Sequence, residues 1–320
     1  MRCSVREHER GLVEELERQL IAYSKESRPV PGIATADARE SFVGQLIDSI
    51  RRVKYVYTIR DRDIAESCFD PTSDHFDPLK AAIAAQRRGD TEEAFWLVFL
   101  AIHFGKALRS GWRLARDIYG RMGDGNAWTW DISSERPDDF REWLAKHYSA
   151  LKGDGVPRNF GNHRKYETLK PFSRRSTANV VASYIEWVGP SRSHLKLLQS
   201  AQKAVGDDPR QMFHYLFRSM EAVISFGRTA RFDYLTMLGK LELAPIYPGS
   251  TYMEGATGPV RGARLLFSGV VNSNIERTLL DQWLVELDGT LPLGPFGMQI
   301  LEDAVCNWQK SPTKFTRFRG

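Results

Sequence analysis

Hydrophobic residues recur at helical spacing along most of the chain. Between Val5 and Leu20 they are separated by charged residues, which predicts an amphipathic first helix that ends before Pro29. From Ala94 to Phe104 almost every residue is apolar, which predicts a helix that is buried on all sides. Patterns typical of strands are scarce, so the chain is predicted to be all-α.

Helix-stop residues and loop chemistry divide the rest of the chain. The buried helix is predicted to start at a cap on Asp90 or Thr91 and to continue past Gly105 as a basic amphipathic helix. Residues 68–78 and 152–175 are rich in Pro, Gly, Asp and Ser and are predicted to be loops. Further helices are predicted over residues 36–53, 134–150, 178–187, 193–204, 209–226 and 229–243.

Composition limits the class of protein. Apolar residues make up 42% of the 320 residues and charged residues 27%, which is typical of a globular protein. No apolar run is long enough to cross a membrane, and the charged first segment does not resemble a signal peptide. The sequence therefore predicts a cytoplasmic protein, expected to be a monomer. We predict an N-terminal helical extension over residues 1–90, packed on a main domain over residues 91–320.

Residue spacing argues against several kinds of cofactor. The cysteines Cys3, Cys68 and Cys306 lie far apart, which excludes a disulfide scaffold or a four-cysteine metal site. The chain has no phosphate-binding GxxxxGK, no GxGxxG after a strand and no HExxH. We therefore predict that the protein uses no cofactor and no metal.

Positive charge is concentrated in the middle of the chain. Residues 101–250 contain 23 basic and 15 acidic residues, whereas residues 1–100 contain 15 and 18. Two clusters, in residues 106–121 and 158–175, alternate with aromatic residues such as Trp112 and Phe172. Such a surface is typical of a protein that binds polyphosphate or nucleic acid, although a solvated helix face has the same composition.

A possible helix-hairpin-helix lies near the C-terminus. A short helix is predicted over Ser250–Glu254, a tight turn over residues 255–258, and a second helix over Val260–Phe267 with the small residues Gly262 and Ala263 on its early face. Such a turn exposes backbone amides that bind a DNA phosphate without reading the base sequence. An ordinary pair of antiparallel helices has the same pattern.

The hairpin and an aspartate downstream resemble the helix-hairpin-helix DNA glycosylase superfamily. Asp281 lies 23 residues beyond Gly258, near the spacing at which that superfamily places its catalytic aspartate. The glycines are one residue further apart than in the usual Leu-Pro-Gly-x-Gly turn. Val260 and Arg261 stand where strand-cleaving members have lysine, which implies base excision without strand cleavage.

Longer blocks resemble the alpha-glutamyl/putrescinyl thymine pyrophosphorylase family, and this resemblance implies the glycosylase fold and activity on hypermodified thymine in DNA. The blocks are FLAIHFGKALRSGWRLARDIYG (99–120), SFGRTARFDYLTMLGKL (225–241), GATGPVRGARLLF (255–267) and LEDAVCNWQKSP (301–312). The resemblance covers roughly residues 90–312. It implies duplex DNA with modified bases as the partner.

The two resemblances imply roles for particular residues. Asp281 would stabilise the positive charge that develops on deoxyribose when a base is released, with Asp233 and Asp303 as reserves. A pocket for a flipped base would be lined by His103, Phe226, Arg228, Arg231, Phe232, Asp233, Tyr234 and Trp308. The DNA backbone would be bound by Lys106, Arg109, Arg113, Arg164, Lys165, Gly255, Thr257, Gly258, Arg261, Arg264 and Lys310.

Three functions are consistent with these residues. The first prediction is a monofunctional DNA glycosylase that excises a 5-substituted pyrimidine, in defence against phages. The alternative is a base-modifying enzyme that displaces pyrophosphate from an activated 5-hydroxymethyl thymine and leaves the glycosidic bond whole. The third is a DNA-binding module without catalytic activity. Steep salt dependence of binding fits all three.

Overall fold

The computed structural model describes residues 6–317, so Cys3 and Val5 lie outside the described residues. Within this range the chain is all-α, as predicted, with two isolated β-bridges and no strand. The helices are α1 (Arg10–Glu26), α2 (Ala36–Asp61), α3 (Pro78–Arg87), α4 (Thr91–Phe104), α5 (Arg113–Tyr119), α6 (Trp130–Glu135), α7 (Pro137–Gly153), α8 (Thr177–Val188), α9 (His194–Val205), α10 (Pro209–Ser219), α11 (Arg228–Lys240), α12 (Gly258–Ser268), α13 (Arg277–Asp288) and α14 (Gly297–Trp308).

The chain divides into two compact units. The first, which we call the terminal unit, combines Met1–Val56 with Tyr247–Arg319, and the second, the central unit, is Tyr57–Ile246. The boundary between them falls inside α2. These units are not the same segments as the predicted extension (1–90) and domain (91–320), and that division stays a prediction.

Close helix packing defines the terminal unit. α12 packs against α14, and Gly262 permits the approach, since a Cβ there would lie 2.0 Å from the carbonyl oxygen of Val305. Gly32 likewise lies against α12, where a Cβ would come within 2.2 Å of the Leu265 carbonyl oxygen. Gly262, one of the small residues predicted for a hairpin crossing, therefore lies at the contact of α12 with α14.

The central unit is built around α4. Asp90 caps this helix by accepting a hydrogen bond from the Glu93 amide at 3.1 Å, as predicted. Trp96 and Phe99 are fully buried and stack with their ring centroids 5.4 Å apart. α3 and α11 pack on α4. The prediction of a helix buried on all sides is confirmed.

The prediction that the buried helix continues past Gly105 as a basic helix was wrong. α4 ends at Phe104, and Gly105 adopts a φ of +64°, which glycine tolerates better than other residues. The chain then forms a turn in which the amides of Ala107 and Gly111 donate to each other's carbonyls at 3.0 and 2.9 Å. The helix resumes only at Arg113.

Other helix boundaries also differ from the sequence pattern. Arg136 separates α6 from α7, because Pro137 cannot continue a helix and begins a new one instead. The helix predicted over residues 209–226 ends at Ser219. Residues 250–254 form no helix, because their polar groups bond to Asp281 and Tyr252 has a φ of +51°. The first helix of the predicted hairpin is therefore absent.

Candidate nucleic-acid interface

Within the central unit, the structure brings the two basic clusters together. The amide of Gly161 donates to the carbonyl of Phe104 at 2.7 Å, and a Cβ on Gly161 would lie 2.8 Å from the carbonyl carbon of Gly105. The amide of Asn159 donates to the Ser110 hydroxyl at 3.3 Å. The turn after α4 and the loop of residues 154–176 thus form one surface, which we call the basic surface.

Some cations of the basic surface are held by internal ion pairs. Arg158 pairs with Asp117 at 2.6 Å and with Asp154 at 2.7 Å. Arg164 donates to the Ile102 carbonyl at 2.7 Å and to Asp233 at 3.0 Å, and its side chain is only 10% exposed. These arginines hold the loop against the helices. Arg164 and Asp233 are thus both used in contacts within the protein. The phosphate contact predicted for Arg164 and the reserve catalytic role predicted for Asp233 stay predictions.

Other cations of the basic surface face solvent. Arg113 is half-buried. The exposed cations are Lys106, Arg109, Lys165, Lys170, Arg174 and Arg175. Lys106 lies 5.9 Å from the Trp112 ring centroid, and Lys165 lies 5.1 Å from that of Tyr166. Solvent-facing cations are the type that neutralise a nucleic-acid backbone.

Large apolar side chains project from the same surface. Leu108 is 93% exposed, Tyr166 is 76% exposed and Phe172 is fully exposed. Each is adjacent or close in sequence to an exposed cation. Unburied aromatic rings beside cations are suited to stacking on nucleobases while the cations contact phosphates.

A cavity of about 290 Å³ opens in the basic surface. Its wall combines apolar groups with three lysines and a glutamate: Leu114, Tyr148, Phe160, Lys152, Lys165, Lys170 and Glu167. The three lysines form no ion pair with any carboxylate of residues 6–317. This collection of cations is suited to a phosphorylated ligand.

His103, predicted to line a base pocket, lies in the core of the central unit. It is 1% exposed, its Nε2 lies 3.1 Å from the hydroxyl of Thr177, and its ring stacks near that of Phe99. Burial, with a smaller contribution from the charge of Arg164, lowers the pKa of His103 to about 3. The imidazole is therefore neutral at physiological pH.

The other predicted pocket residues, on α11 and just before it, are mostly buried too. Phe226, Phe232 and Tyr234 are at most 4% exposed. Arg231 lies over the ring of Phe217 at 4.6 Å, and Arg228 lies over Phe232 at 5.0 Å. Phe226 and Arg231 also line an open groove with Arg174 and Arg175. Most of these side chains are therefore enclosed by protein. Their role in a base pocket stays a prediction.

A buried hydrogen-bonded chain in the same unit was missed by sequence reasoning. Glu92 Oε2 lies 2.5 Å from His194 Nδ1, His194 Nε2 lies 2.7 Å from the Tyr184 hydroxyl, and that hydroxyl lies 2.7 Å from the hydroxyl of Tyr234. Burial opposes ionisation of Glu92, yet hydrogen bonds from His194 and Ser193 lower its pKa to about 2. Only tertiary contacts join these residues, so no sequence spacing indicated them.

Asp281 belongs to the terminal unit, in the second turn of α13 rather than at its first residue. Its Oδ1 accepts hydrogen bonds from the hydroxyls of Ser250 at 2.7 Å and Thr251 at 2.6 Å, and its Oδ2 accepts one from the amide of Met253 at 2.9 Å. Three donors therefore bond to this carboxylate. They also engage both oxygens, so Asp281 anchors the segment before the glycine turn, and its catalytic role stays a prediction.

The C-terminal residues predicted to hold a DNA phosphate lie in the glycine turn and in α12. Gly255 has a φ of +75°, Thr257 precedes α12 without a side-chain cap, and Gly258 touches α14, since a Cβ there would lie 2.7 Å from Cys306 Sγ. Arg261 is exposed. Arg264 donates to the Ile275 carbonyl at 3.1 Å. Phosphate binding by this turn stays a prediction.

The C-terminal candidates have internal contacts. Trp308 is fully buried, donates to the Pro312 carbonyl at 2.9 Å and meets Phe42 edge to face, which is the packing of a core residue. Lys310 donates to the Asn307 side chain at 2.9 Å. Asp303 pairs with Arg52 and accepts from the Ser49 hydroxyl at 2.9 Å. The predicted roles of Trp308, Lys310 and Asp303 in a site stay predictions.

Residues 6–317 contain neither a metal-ligand cluster nor a membrane-spanning helix. Residues 6–317 contain no group of three or more His, Cys, Asp or Glu side chains arranged to hold a metal ion. No helix in that range has the length and apolar character needed to cross a bilayer. Neither Cys68 nor Cys306 forms a disulfide bond.

An all-α chain with a cation-rich surface and exposed aromatic rings has the features of a nucleic-acid-binding protein. Comparison with known families gives a specific match: residues 37–320 match the family described as "Alpha-glutamyl/putrescinyl thymine pyrophosphorylase clade 3". The chain belongs to this family, as the sequence resemblance predicted. No curated protein and no solved structure matches the chain.

Proposed function

We propose that this protein modifies thymine in DNA by replacing a diphosphate on an activated 5-hydroxymethyl group with an amine. Pyrophosphate is released and the base stays attached to its sugar. The family description, which joins glutamyl and putrescinyl thymine to pyrophosphorylase chemistry, supports this reaction more directly than base excision, the first prediction from the sequence.

The structural observation that carries the proposal is the cavity lined by Lys152, Lys165 and Lys170. A diphosphate leaving group gains negative charge as its bond to carbon breaks, and ammonium groups beside it stabilise that charge. The surrounding basic surface has exposed cations that could contact the DNA backbone, and the exposed ring of Phe172 is available for stacking on a base. We propose duplex DNA with modified bases as the substrate.

The reaction requires no redox partner. The amine nitrogen forms a bond to the methylene carbon at position 5 of the base, the bond from that carbon to oxygen breaks, and the electron pair leaves with pyrophosphate. The nitrogen gives up one proton. The protein has to hold the two reactants in line and neutralise the leaving group, which needs positioning and charge rather than a covalent intermediate.

The test is a product analysis. The full chain is incubated with DNA that carries the diphosphate ester of 5-hydroxymethyluracil and with putrescine or glutamate, and the digested nucleosides are examined by mass spectrometry. We expect pyrophosphate and a nucleoside carrying the amine. Free base with abasic sites would instead support the glycosylase, and DNA binding without any product would support the non-catalytic module.

A matched pair of variants connects the product to the cavity. Lys165→Gln/Lys170→Gln removes two cavity lysines, whereas Lys196→Gln/Lys203→Gln removes two exposed lysines of α9. We expect the first variant to slow pyrophosphate release at least tenfold and the second to leave it near the parent rate. Equal rates of pyrophosphate release in both variants would show that the reaction does not take place in this cavity. The proposed cytoplasmic location, monomeric state and role against phages are independent of this result.

A further inference from the structure

Glu167 is a carboxylate in the wall of a cavity whose other charged groups are cations. Its side chain is 7% exposed, and it lines the cavity with Lys152, Lys165 and Lys170. A carboxylate this deeply buried is unusual unless it is paired, because removal from water disfavours the charge. The contacts of its two oxygens therefore indicate what it is for.

The two oxygens of Glu167 have different surroundings. The Arg175 guanidinium lies 3.8 Å from Oε1. Oε2 is buried and has no hydrogen-bond partner among residues 6–317. Burial raises the pKa of Glu167, although a hydrogen bond from Ser225 and the charges of Arg175 and Arg164 oppose this. The carboxylate therefore has an unused acceptor and an increased affinity for a proton.

We propose that Glu167 binds the amine substrate, a primary aliphatic ammonium, within this cavity; this inference rests on the proposed function. An ammonium supplies the donors and the positive charge that Oε2 lacks. Leu114, Tyr148 and Phe160 line the same cavity and provide apolar contact for the methylene groups of the amine. The cavity lysines are positively charged and would bind the negatively charged diphosphate.

The proton balance gives Glu167 a second role. The bound ammonium transfers one proton to the Glu167 carboxylate, and its freed electron pair attacks the methylene carbon. The new carbon–nitrogen bond forms as the carbon–oxygen bond breaks, and the electron pair of that bond leaves with pyrophosphate. Glu167 then returns the proton to solvent. A carboxylate that holds the ammonium is therefore also positioned to activate it.

The inference is tested without DNA, so that it does not depend on the modification reaction. Putrescine is titrated into the full chain by calorimetry, with butane-1,4-diol as the uncharged probe of the same length. We expect putrescine to bind and the diol not to bind. Glu167→Gln keeps the shape but removes the charge, and is expected to weaken putrescine binding at least tenfold. Glu186→Gln, an exposed glutamate of α8, is the matched control and is expected to bind as the parent does.

Other outcomes overturn the inference. These are no binding of putrescine by the parent chain at millimolar concentration, or equal affinity in parent and Glu167→Gln. Should Glu167→Gln fail to fold, Glu167→Ala also removes the charge with a smaller side chain, and parent-like affinity in that variant overturns the inference too. The two proposals fail differently. Pyrophosphate release with an unchanged KM for putrescine in Glu167→Gln rejects only the role of Glu167. Charge-dependent putrescine binding without pyrophosphate release from DNA rejects only the reaction.

Discussion

The hydroxyl of Thr251 donates a hydrogen bond of 2.6 Å to the carboxylate of Asp281. The two residues are 30 positions apart in the chain, and the contact joins α13 to the segment before the glycine turn. Ser250 and the Met253 amide bond to the same carboxylate. The residue predicted from the sequence to be the catalytic carboxylate is therefore the point to which this segment is bonded.

Asp281→Asn is expected to destabilise the protein. The substitution removes the negative charge and replaces one acceptor oxygen with a donor, so the three donors no longer find suitable partners. Hydrogen bonds to a charged group contribute about 1.5–3 kcal/mol, so we expect the free energy of unfolding to fall by about 2 kcal/mol. Urea denaturation of the variant beside Glu14→Gln, an exposed control on α1, measures the effect.

The same variant separates an anchoring from a catalytic Asp281. At a temperature where Asp281→Asn remains folded, we expect its pyrophosphate release to stay within about threefold of the parent, as an order-of-magnitude expectation for a residue that acts only by anchoring. Loss of product formation by a folded variant would contradict this expectation. It would instead support the catalytic role predicted for the aspartate from its spacing.

Gly262→Ala is expected to disturb the packing of α12 on α14. The added methyl group would lie 2.0 Å from the carbonyl oxygen of Val305, and backbone atoms move less readily than side chains. We expect a loss of about 3 kcal/mol, at the upper end of overpacking effects. Gly11→Ala in α1 meets nothing within 4 Å and is expected to stabilise the helix by up to about 1 kcal/mol. Thermal unfolding of both variants checks the contrast.

The stability of the protein is expected to depend on pH through His103. Its pKa is lowered from 6.5 to about 3 in the folded state, so the unfolded chain binds a proton at this position more readily. The stabilising contribution of the neutral His103 side chain is therefore fully present above pH 6.5 and is lost as the pH falls toward 3. At 1.36 kcal/mol for each pH unit, the free energy of unfolding decreases by up to about 5 kcal/mol over this range. The difference in unfolding free energy between the parent and His103→Gln, followed by urea denaturation from pH 7 to pH 3.5, isolates this group.

Glu93 has the opposite effect on the pH dependence of stability, over part of the range from pH 3.5 to pH 7. Burial raises its pKa to about 7 despite hydrogen bonds from the Trp130 amide and the Tyr119 hydroxyl. Its stabilising contribution is present below pH 4.5 and is lost as the pH rises through 7. Because parent and His103→Gln share Glu93, its effect cancels in their difference. A difference that does not change with pH would show that His103 is not responsible.

DNA affinity is expected to depend on salt through the exposed lysines of the basic surface. Each phosphate neutralised by a cation contributes about 0.9 to the slope of log affinity against log salt on duplex DNA. Lys165→Gln/Lys170→Gln is expected to reduce that slope by about 2, whereas Lys196→Gln/Lys203→Gln leaves it unchanged. Fluorescence anisotropy with a labelled duplex over a range of salt concentrations measures both slopes. Equal slopes would place the DNA elsewhere on the protein.

Local sequence chemistry predicted much of the helical structure. Asp90 caps α4 where the pattern indicated, and the apolar run after it is buried because no face of that helix is polar enough to meet water. The ends of helices were less predictable. The helix that was expected to pass Gly105 ends before it, where Gly105 contacts Gly161. Gly161 is 56 positions away in the chain, so this contact could not be predicted from the local sequence.

The candidate site depended still more on tertiary structure. The sequence alone determined the helical class, the excess of positive charge in the middle of the chain and the family, because periodicity, composition and long blocks of similar residues are properties of the linear chain. The tertiary structure decided which cations are free, since Arg158 and Arg164 meet Asp117 and Asp233 only after folding. It also buried Glu167 beside three lysines, and neither burial nor the loss of a hydrogen-bond partner can be deduced from residue order.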